Sequence, residues 1–449
     1  MTTLRFFGGV GSIGSSKVEV AEAGWRALFD LGPLIPGRDG LLRPPVRSRP
    51  GSGLRDQIRV GEAPAIPFLY RPEALAGLDV EGGADGRSAL FISHCHIDHM
   101  GLIGWVDPAV PIYASPETIA MVDALEVAGL GLDGGRPTLR PMAEGEVVQV
   151  GPLRVRRYPV DHDVAGASGY AIETEDGLVA YTGDFRLHGR HPELTWAFAQ
   201  AVAGAEALVT EGTTLSFGGR GGVRREADCD RAFDRALGET PGLVMVTLYP
   251  RNIERVQAFL AIAAAHGRTI LWPPAMGAFL RAFGLEGIVD FGSEGADASA
   301  VSAAPDRFVV QIEVEHLADL LDLPVGPGSV LCHANGEPLG PFQPTWDVLQ
   351  DWLRYTATPF RQIGAGGHAD PDDLHHFVET VAPETVYPLH TDDPFRLLPP
   401  PGTLRILPRY AKTYPVARRT PEPSARGAAR PTGSLQAAVP GADDGRGHR

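Results

Sequence analysis

The stretch FISHCHIDHMG, Phe91 to Gly101, sets His94, His96, Asp98 and His99 into six consecutive positions. Neutral imidazole and carboxylate are preferred ligands of zinc and also serve manganese, and a coordination position left open lets such an ion generate hydroxide near neutral pH. The apolar run Ala89-Leu90-Phe91-Ile92 reads as a short strand ending near Ser93. His94, His96 and Asp98 stand two apart, so an extended or looped backbone projects them to one side, and His99 then starts a helix in HMGLIGWV. A histidine-rich surface loop is the bland alternative, but a strand leading straight into HxHxDH is much rarer than a lone histidine.

Two ions need more ligands than one loop supplies. His162 in PVDHDVAGASGY, Asp184 in AYTGDFRLHG and His390 in YPLHTDD each follow a β-type run directly, at the place where a sheet brings its strand tips to one rim. Taken singly, each is more often a capped turn or a solvated histidine; taken in this order they form a set. Cys95 is turned the opposite way by the alternation and is expected to pack. His188 and His191 are expected at solvent, as is one face of the helix carrying His375 and His376. GGVGSIG is a weak dinucleotide signal, because no helix follows it at once.

The elements that must carry these residues follow from pattern. LRFFGGVGSIGSSKVEVAEAGWRALFDLG reads as an antiparallel opening with a turn at Ala23-Gly24. Residues 33–88 are rich in Gly, Pro and Arg, with one apolar segment around Ile66 to Tyr70, and read as an insertion of unassigned conformation. Strands and helices then alternate: PIYAS, a helix from about Pro116 to Ala128, LRVRRYPVDH, SGYAIET, LVAYTGD and ALVTEGT. From Glu226 the rhythm is βαβ, which implies parallel strands covered by helices. Beyond Val416 the chain loses apolar periodicity and is expected to be disordered.

The 449 residues, 43% hydrophobic, suffice for two lobes. No apolar run of about twenty residues appears, and the N-terminus lacks a signal-peptide layout. A cytoplasmic protein free of the membrane is expected. Cys95, Cys229 and Cys332 lie far apart without CxxC spacing, which suggests reduced thiols. A net charge of −15 argues against non-specific coating of nucleic acid, although a narrow basic groove beside metal ions stays compatible with it.

HCHIDH, His162 and TGD with Asp184 resemble the successive metal-binding motifs of the metallo-β-lactamase fold, and GGVGSIGSS with LFDLG is similar to its opening hairpins. TEGTT around Glu211, GGHAD with His368 and PLHT with His390 resemble three further motifs of the β-CASP nucleases, the branch that includes ribonuclease J and the messenger-RNA cleavage and polyadenylation nucleases. CHANGEPLG is similar to the segment by which the inserted lobe of that branch returns to the lactamase-like domain. The resemblance runs from Leu4 to Lys412 and leaves residues 33–88 and the tail uncovered. Glu211-Gly212-Thr213 departs from the Asp-Ser-Thr usual in ribonuclease J and is closer to the polyadenylation branch.

The resemblance implies an α/β fold: a metallo-β-lactamase αββα sandwich with an inserted β-CASP lobe. Residues 1–212 would form the first part of the sandwich, 213–362 the lobe, 363–416 the return segment and 417–449 a disordered tail. It also implies two divalent ions, zinc first and manganese as the alternative. His94, His96 and His162 would hold one, Asp98, His99 and His390 the other, with Asp184 bridging. Glu211 would orient a ligand or pass a proton and His368 would face the scissile phosphate; with Asp98 these are the expected catalytic residues. A histidine at position 390 goes with RNA substrates in this family. The implied activity is hydrolysis of single-stranded RNA by a hydroxide bridging the ions, endonuclease or exonuclease left open, with RNA as partner and a homodimer compatible. Arg220, Arg224, Arg225, Arg251 and Arg255 are candidates for a groove, though each alone is more often surface. Rival readings are a small-ester or thioester hydrolase, which would not need an insertion of about 150 residues, an inactive RNA-binding relative, and a DNA nuclease, which His390 disfavours.

Overall fold

Side-chain alternation builds two faces on the opening sheet. In Trp25–Phe29, Ala27 and Phe29 enter an inner core while Leu28 enters an outer one. In Ser88–Phe91, Ala89 and Phe91 face inward and Leu90 outward, as the two-residue period of a strand requires. The computed structural model describes residues 1–34, 40–42, 46–217 and 225–416. Its first sheet has seven strands in the order Thr413–Pro415, Thr3–Gly8, Lys17–Glu22, Trp25–Phe29, Ser88–Phe91, Ile112–Ala114 and Leu139–Pro141. The opening is antiparallel, as expected, and turns parallel from Trp25–Phe29 onward.

A second seven-stranded sheet packs its inner residues, Tyr170, Ile172, Val179, Tyr181, Val209 and Leu389 among them, against those of the first. Its outer residues Ala171, Ala180, Leu208 and Val386 are covered by Phe198 from helix Pro192–Ala201 and by Leu374, Phe377 and Val378 from helix Pro371–Val381. Proline starts both helices, where its missing N–H costs nothing. On the far side of the first sheet lies helix Pro116–Val127, capped by Ser115 Oγ accepting from Thr118 N at 3.0 Å. Helix, sheet, sheet, helix is the αββα sandwich.

The third sheet has six strands, all parallel: Val289–Asp290, Thr269–Trp272, Phe308–Gln311, Val244–Leu248, Val330–Ala334 and Phe360–Gln362. Phe233 and Phe259, from helices Glu226–Glu239 and Ile253–Ala265, stack on one side of it at 4.0 Å, and helix Thr345–Tyr355 covers the other with Leu349 and Leu353. Its inner core is continuous with the outer core of the first sheet, so this lobe and the sandwich share one apolar body. Leu54, Ile66, Leu69 and Tyr70 from the 33–88 insertion enter the same body, and the insertion carries a helix, Gly53–Arg59.

Topology explains why distant residues meet. Gly177–Tyr181, Ala207–Glu211 and Thr385–Leu389 are parallel neighbours, with Glu211 in register with Leu389. The chain leaves the second sheet after Glu211, builds the third, and returns to the adjacent strand. Asp184, Glu211 and His390 therefore follow or end parallel strands at one rim. Arg220, Arg224 and the tail at 417–449 lie outside the described residues. Among the described residues no helix is long and apolar enough to cross a membrane.

Candidate metal centre

The histidine loop turns sharply after its strand, and Ile97–Met100 forms one helical turn. Helix begins two positions before His99, so Asp98 lies on it and is not in extended register with His94 and His96. The consequence is a division of labour. His94, His96, His162 and Asp184 present ligand atoms within 4.8 Å of one another, while Asp98, His99 and His390 form a second group with the same spacing. Asp98 Oδ2 lies 3.0 Å from His390 Nε2 and 3.7 Å from His99 Nε2. Asp184 Oδ2 stands between the groups, 3.9 Å from His94 Nε2, 3.1 Å from His99 Nε2 and 3.4 Å from His390 Nε2. All seven side chains expected to bind metal thus converge on one rim.

His368 is brought to the same place, its Nδ1 3.7 Å from Asp184 Oδ2 and 3.6 Å from Glu211 Oε2. Glu211 accepts from Thr213 N at 2.8 Å and from Ala369 N at 3.3 Å, so it braces the loop that carries His368. His390 has φ of +55°, a strained conformation for a residue other than glycine. It is held there by Thr213, whose Oγ1 lies 2.7 Å from Nδ1, and by its own N–H donating to Gly9 O at 2.8 Å.

Two acidic residues enter the site that the sequence reading passed over. Asp163 Oδ1 lies 3.3 Å from His162 Nε2 and 3.5 Å from His96 Nε2. The triplet Asp161-His162-Asp163 sets two carboxylates next to the histidine, but alternation turns flanking residues away from it, so sequence order did not single out Asp163. Asp161 takes another path and pairs with Arg186 at 2.9 Å. Asp30, at the tip of the strand beside Ser88–Phe91, accepts from Ser93 N at 2.6 Å and Tyr181 Oη at 2.6 Å, and its Oδ2 lies 2.7 Å from His99 Nδ1. That contact makes Nδ1 the donor and leaves His99 Nε2 for a cation. In the sequence Asp30 is only an acidic residue ending the apolar run LFDLG, an ordinary strand end. Lys17, buried below, donates to Ser15 Oγ at 2.6 Å and Gly32 O at 2.5 Å. Gly32 is packed so closely that a Cβ would lie 1.7 Å from Asp98 O.

The residues fit divalent cations. His94 Nε2 is buried and makes no hydrogen bond, an unfavourable state for a ring nitrogen unless a cation takes the lone pair, and His99 Nε2 faces the carboxylate oxygens of Asp184 and Asp98 at 3.1 and 3.7 Å. Burial, reinforced by His99, His96 and His162, holds His94 well below the ordinary imidazole range. Burial also takes His96 to about 3, against the raising pull of Asp163, and lowers His162. Three neutral imidazoles offering nitrogen lone pairs result. His99 differs: burial would lower it, but Asp184, Asp98 and Asp30 together outweigh that and raise it. Burial would likewise raise Asp184, yet His390 and His99 keep its carboxylate ionised.

Other expectations are corrected by burial. His188 is not at solvent: it is buried, with Nε2 donating to Gly366 O at 2.9 Å. Arg255 does not line a groove. It is fully buried, with Nε and Nη2 on Glu226 at 3.0 and 2.6 Å, and it donates to Ala334 O and Ala365 O. Glu226 also accepts from buried Arg186 at 2.6 Å. This cluster ties the third sheet to the loop ending in His368. Arg251 reaches the centre, donating from Nη1 to Cys95 O at 2.9 Å, next to Tyr249, whose ring is edge-on to His96 at 5.5 Å. Cys95 is buried in the outer core, and all three cysteines are buried free thiols.

An αββα sandwich, paired histidine and carboxylate groups at one rim and a parallel lobe inserted between neighbouring strands define a metallo-β-lactamase-fold protein. Residues 74–217 match the beta-lactamase superfamily domain. The chain is 30% identical over 190 residues to ribonuclease J of Corynebacterium glutamicum, covering 40% of this chain and 26% of that one. It is 26% identical over 272 residues to ribonuclease J of Mycolicibacterium smegmatis, covering 59% and 43%. With ribonuclease J of Pyrococcus abyssi the match is 25% over 361 residues, covering 72% and 76%. A crystal structure of a protein of unknown function from Enterococcus faecalis V583 superposes with a TM-score of 0.77 at 28% identity, covering 92% of this chain and 99% of that one. The chain has the metallo-β-lactamase fold, and its similarity to ribonuclease J proteins supports a place in the β-CASP nuclease branch. It spans about a quarter to two fifths of the length of the two actinobacterial ribonucleases it matches.

Proposed function

We propose that the chain is a metal-dependent ribonuclease that hydrolyses phosphodiester bonds of single-stranded RNA. The observation that carries this reading is the position of Asp184 Oδ2, 3.1 to 3.9 Å from nitrogen atoms of His94, His99, His390 and His368. His94, His96 and His162 would hold one divalent ion and Asp98, His99 and His390 the other, with Asp184 shared and Asp163 beside the first. Bound there, zinc or manganese ions would lower the pKa of water and neutralise charge on both sides of an in-line displacement.

The chain's own groups do the rest. Asp30 fixes the tautomer of His99, and Thr213 holds the ring of His390 through Nδ1. Burial would lower the pKa of His368, but Glu211 and Asp184 outweigh it and raise it to about 9. His368, facing Asp184 and Glu211 at the same rim, is placed to donate a proton to a phosphoryl oxygen or to the leaving group. Glu211 keeps that proton in place and braces the loop. Arg251, half-buried beside His96, offers guanidinium donors to an adjacent phosphate. Three ribonuclease J relatives and the histidine at position 390 favour RNA over DNA. The inserted lobe, which small-ester hydrolysis does not require, favours a polymer. Buried free thiols agree with action in the cytoplasm.

The test is end-labelled single-stranded RNA and matched DNA, each with a 5′ monophosphate or a 5′ hydroxyl, incubated with metal-loaded protein. Mononucleotides from RNA alone indicate an exoribonuclease, and internal fragments an endonuclease. Cleavage of neither, together with hydrolysis of a lactone or thioester, overturns the proposal.

A further inference from the structure

Among the described residues three phenylalanines are exposed, Phe217, Phe342 and Phe395. Two of them meet. Phe217 and Phe342 have ring centroids 6.2 Å apart and planes inclined at 30°, while 45% and 58% of their surfaces remain in water. They come from different parts of the fold. Phe217 follows the short turn Thr213–Ser216 of the sandwich, and Phe342 lies between strand Val330–Ala334 and helix Thr345–Tyr355 of the third sheet. Thr213 is the residue whose Oγ1 stands 2.7 Å from His390 Nδ1. Four residues of extended chain span at most about 14 Å, so Phe217 stands no more than a few nucleotides from the metal rim.

A pair that served only to pack the two parts together would bury its faces, as Phe233 and Phe259 do at 4.0 Å. The wider, tilted wedge of Phe217 and Phe342 leaves ring surface open. We infer that Phe217 and Phe342 form a stacking site for an unpaired nucleobase of the substrate strand, a few nucleotides from the scissile phosphate. This deepens, and rests on, the ribonuclease reading. Every base presents a π-face, so the site is tolerant of sequence. A paired base has its faces occupied by its neighbours, so the site selects single strands. Because the two rings belong to the sandwich and to the inserted lobe, a base held there also couples the two across the substrate.

The experiment uses the full chain with Phe217→Leu, Phe342→Leu and Phe217→Trp. Leucine keeps apolar volume and removes the π-face, and thermal midpoints unchanged from the parent show that the fold is kept. Both leucine variants are expected to raise KM for single-stranded RNA by about 5- to 100-fold, the range of a lost base–aromatic stack, with kcat altered less than about threefold. The tryptophan variant should restore KM, and in the metal-free protein its fluorescence should be quenched by single-stranded RNA and not by the same RNA annealed to its complement. Parent-like KM in both leucine variants, or no quenching by single-stranded RNA, overturns the stacking site. If the metal-loaded parent cleaves no RNA while quenching persists, the ribonuclease reading fails and the base site stands.

Discussion

Replacing Glu226 by Gln removes one charge from a buried group of four. Arg186 and Arg255 are fully buried, Glu226 is 1% exposed and Asp161 is 4% exposed, so two cations face two anions away from water. The parent cluster is neutral; the variant holds an uncompensated guanidinium. Breaking a buried pair in this way typically costs about 3–5 kcal/mol. An independent route gives a similar figure. Burial alone would raise the Glu226 carboxyl, but Arg255 and Arg186 outweigh it and take it from 4.5 down to about 2. At 1.36 kcal/mol per unit that displacement corresponds to about 3 kcal/mol. Because the folded value is depressed, this stabilisation is complete above pH 4.5 and is lost as the pH falls toward 2. By pH 3.5 about 1.4 kcal/mol of it should be gone. Urea unfolding at pH 7 should therefore show Glu226→Gln destabilised by about 3–5 kcal/mol, and the gap to the parent should narrow by about 1.4 kcal/mol at pH 3.5. The double variant Glu226→Leu, Arg255→Leu should recover part of the loss, since Arg186 keeps Asp161; recovery is incomplete because Ala334 O loses the Arg255 donor, while Ala365 O keeps Asn335 Nδ2 at 2.7 Å. A single-variant cost under about 1 kcal/mol, or a gap independent of pH, would refute the reasoning.

Three further outcomes are expected. Replacing His368 by Gln should leave the content of bound metal unchanged in elemental analysis and lower kcat by about 10²–10³-fold, the usual loss for one electrostatic donor; parent-like kcat removes His368 from the chemistry. Asp30→Asn should weaken metal binding by about 10–100-fold in competition with a chelator, because a carboxylate no longer fixes the His99 tautomer. Gly32→Ala places a Cβ against Asp98 O, so Asp98 must shift; metal stoichiometry should fall, with loss of the ion proposed for Asp98, His99 and His390, and two retained ions would show that the contact relaxes freely.

The candidate ligand residues were legible in the amino-acid order because metal chemistry restricts ligands to a few types. Three histidines and an aspartate within six positions leave little else to do, and His162, Asp184 and His390 each sit just past a β-type run. The βαβ rhythm after Glu226 and the antiparallel opening follow from periodicity and glycine placement, which are local properties. Asp163 and Asp30 were not legible, because an aspartate at a strand end is ordinary until its neighbours are known. The same holds for Arg255 and His188, whose types suggest solvent and whose burial depends on partners far along the chain.

Local order alone decided which residues could bind metal and which segments form strands and helices, since those depend on side-chain chemistry and on neighbours two to four positions away. Tertiary structure sets Asp98 beside His390 and gathers His94 and His96 with His162, a grouping the family resemblance implied and local pattern did not, and it alone decided that Glu226 faces two arginines. It also decided that Phe217 meets Phe342. These are contacts between residues up to about 290 positions apart, made only when parallel strands bring their ends to one rim, and no short-range pattern records them.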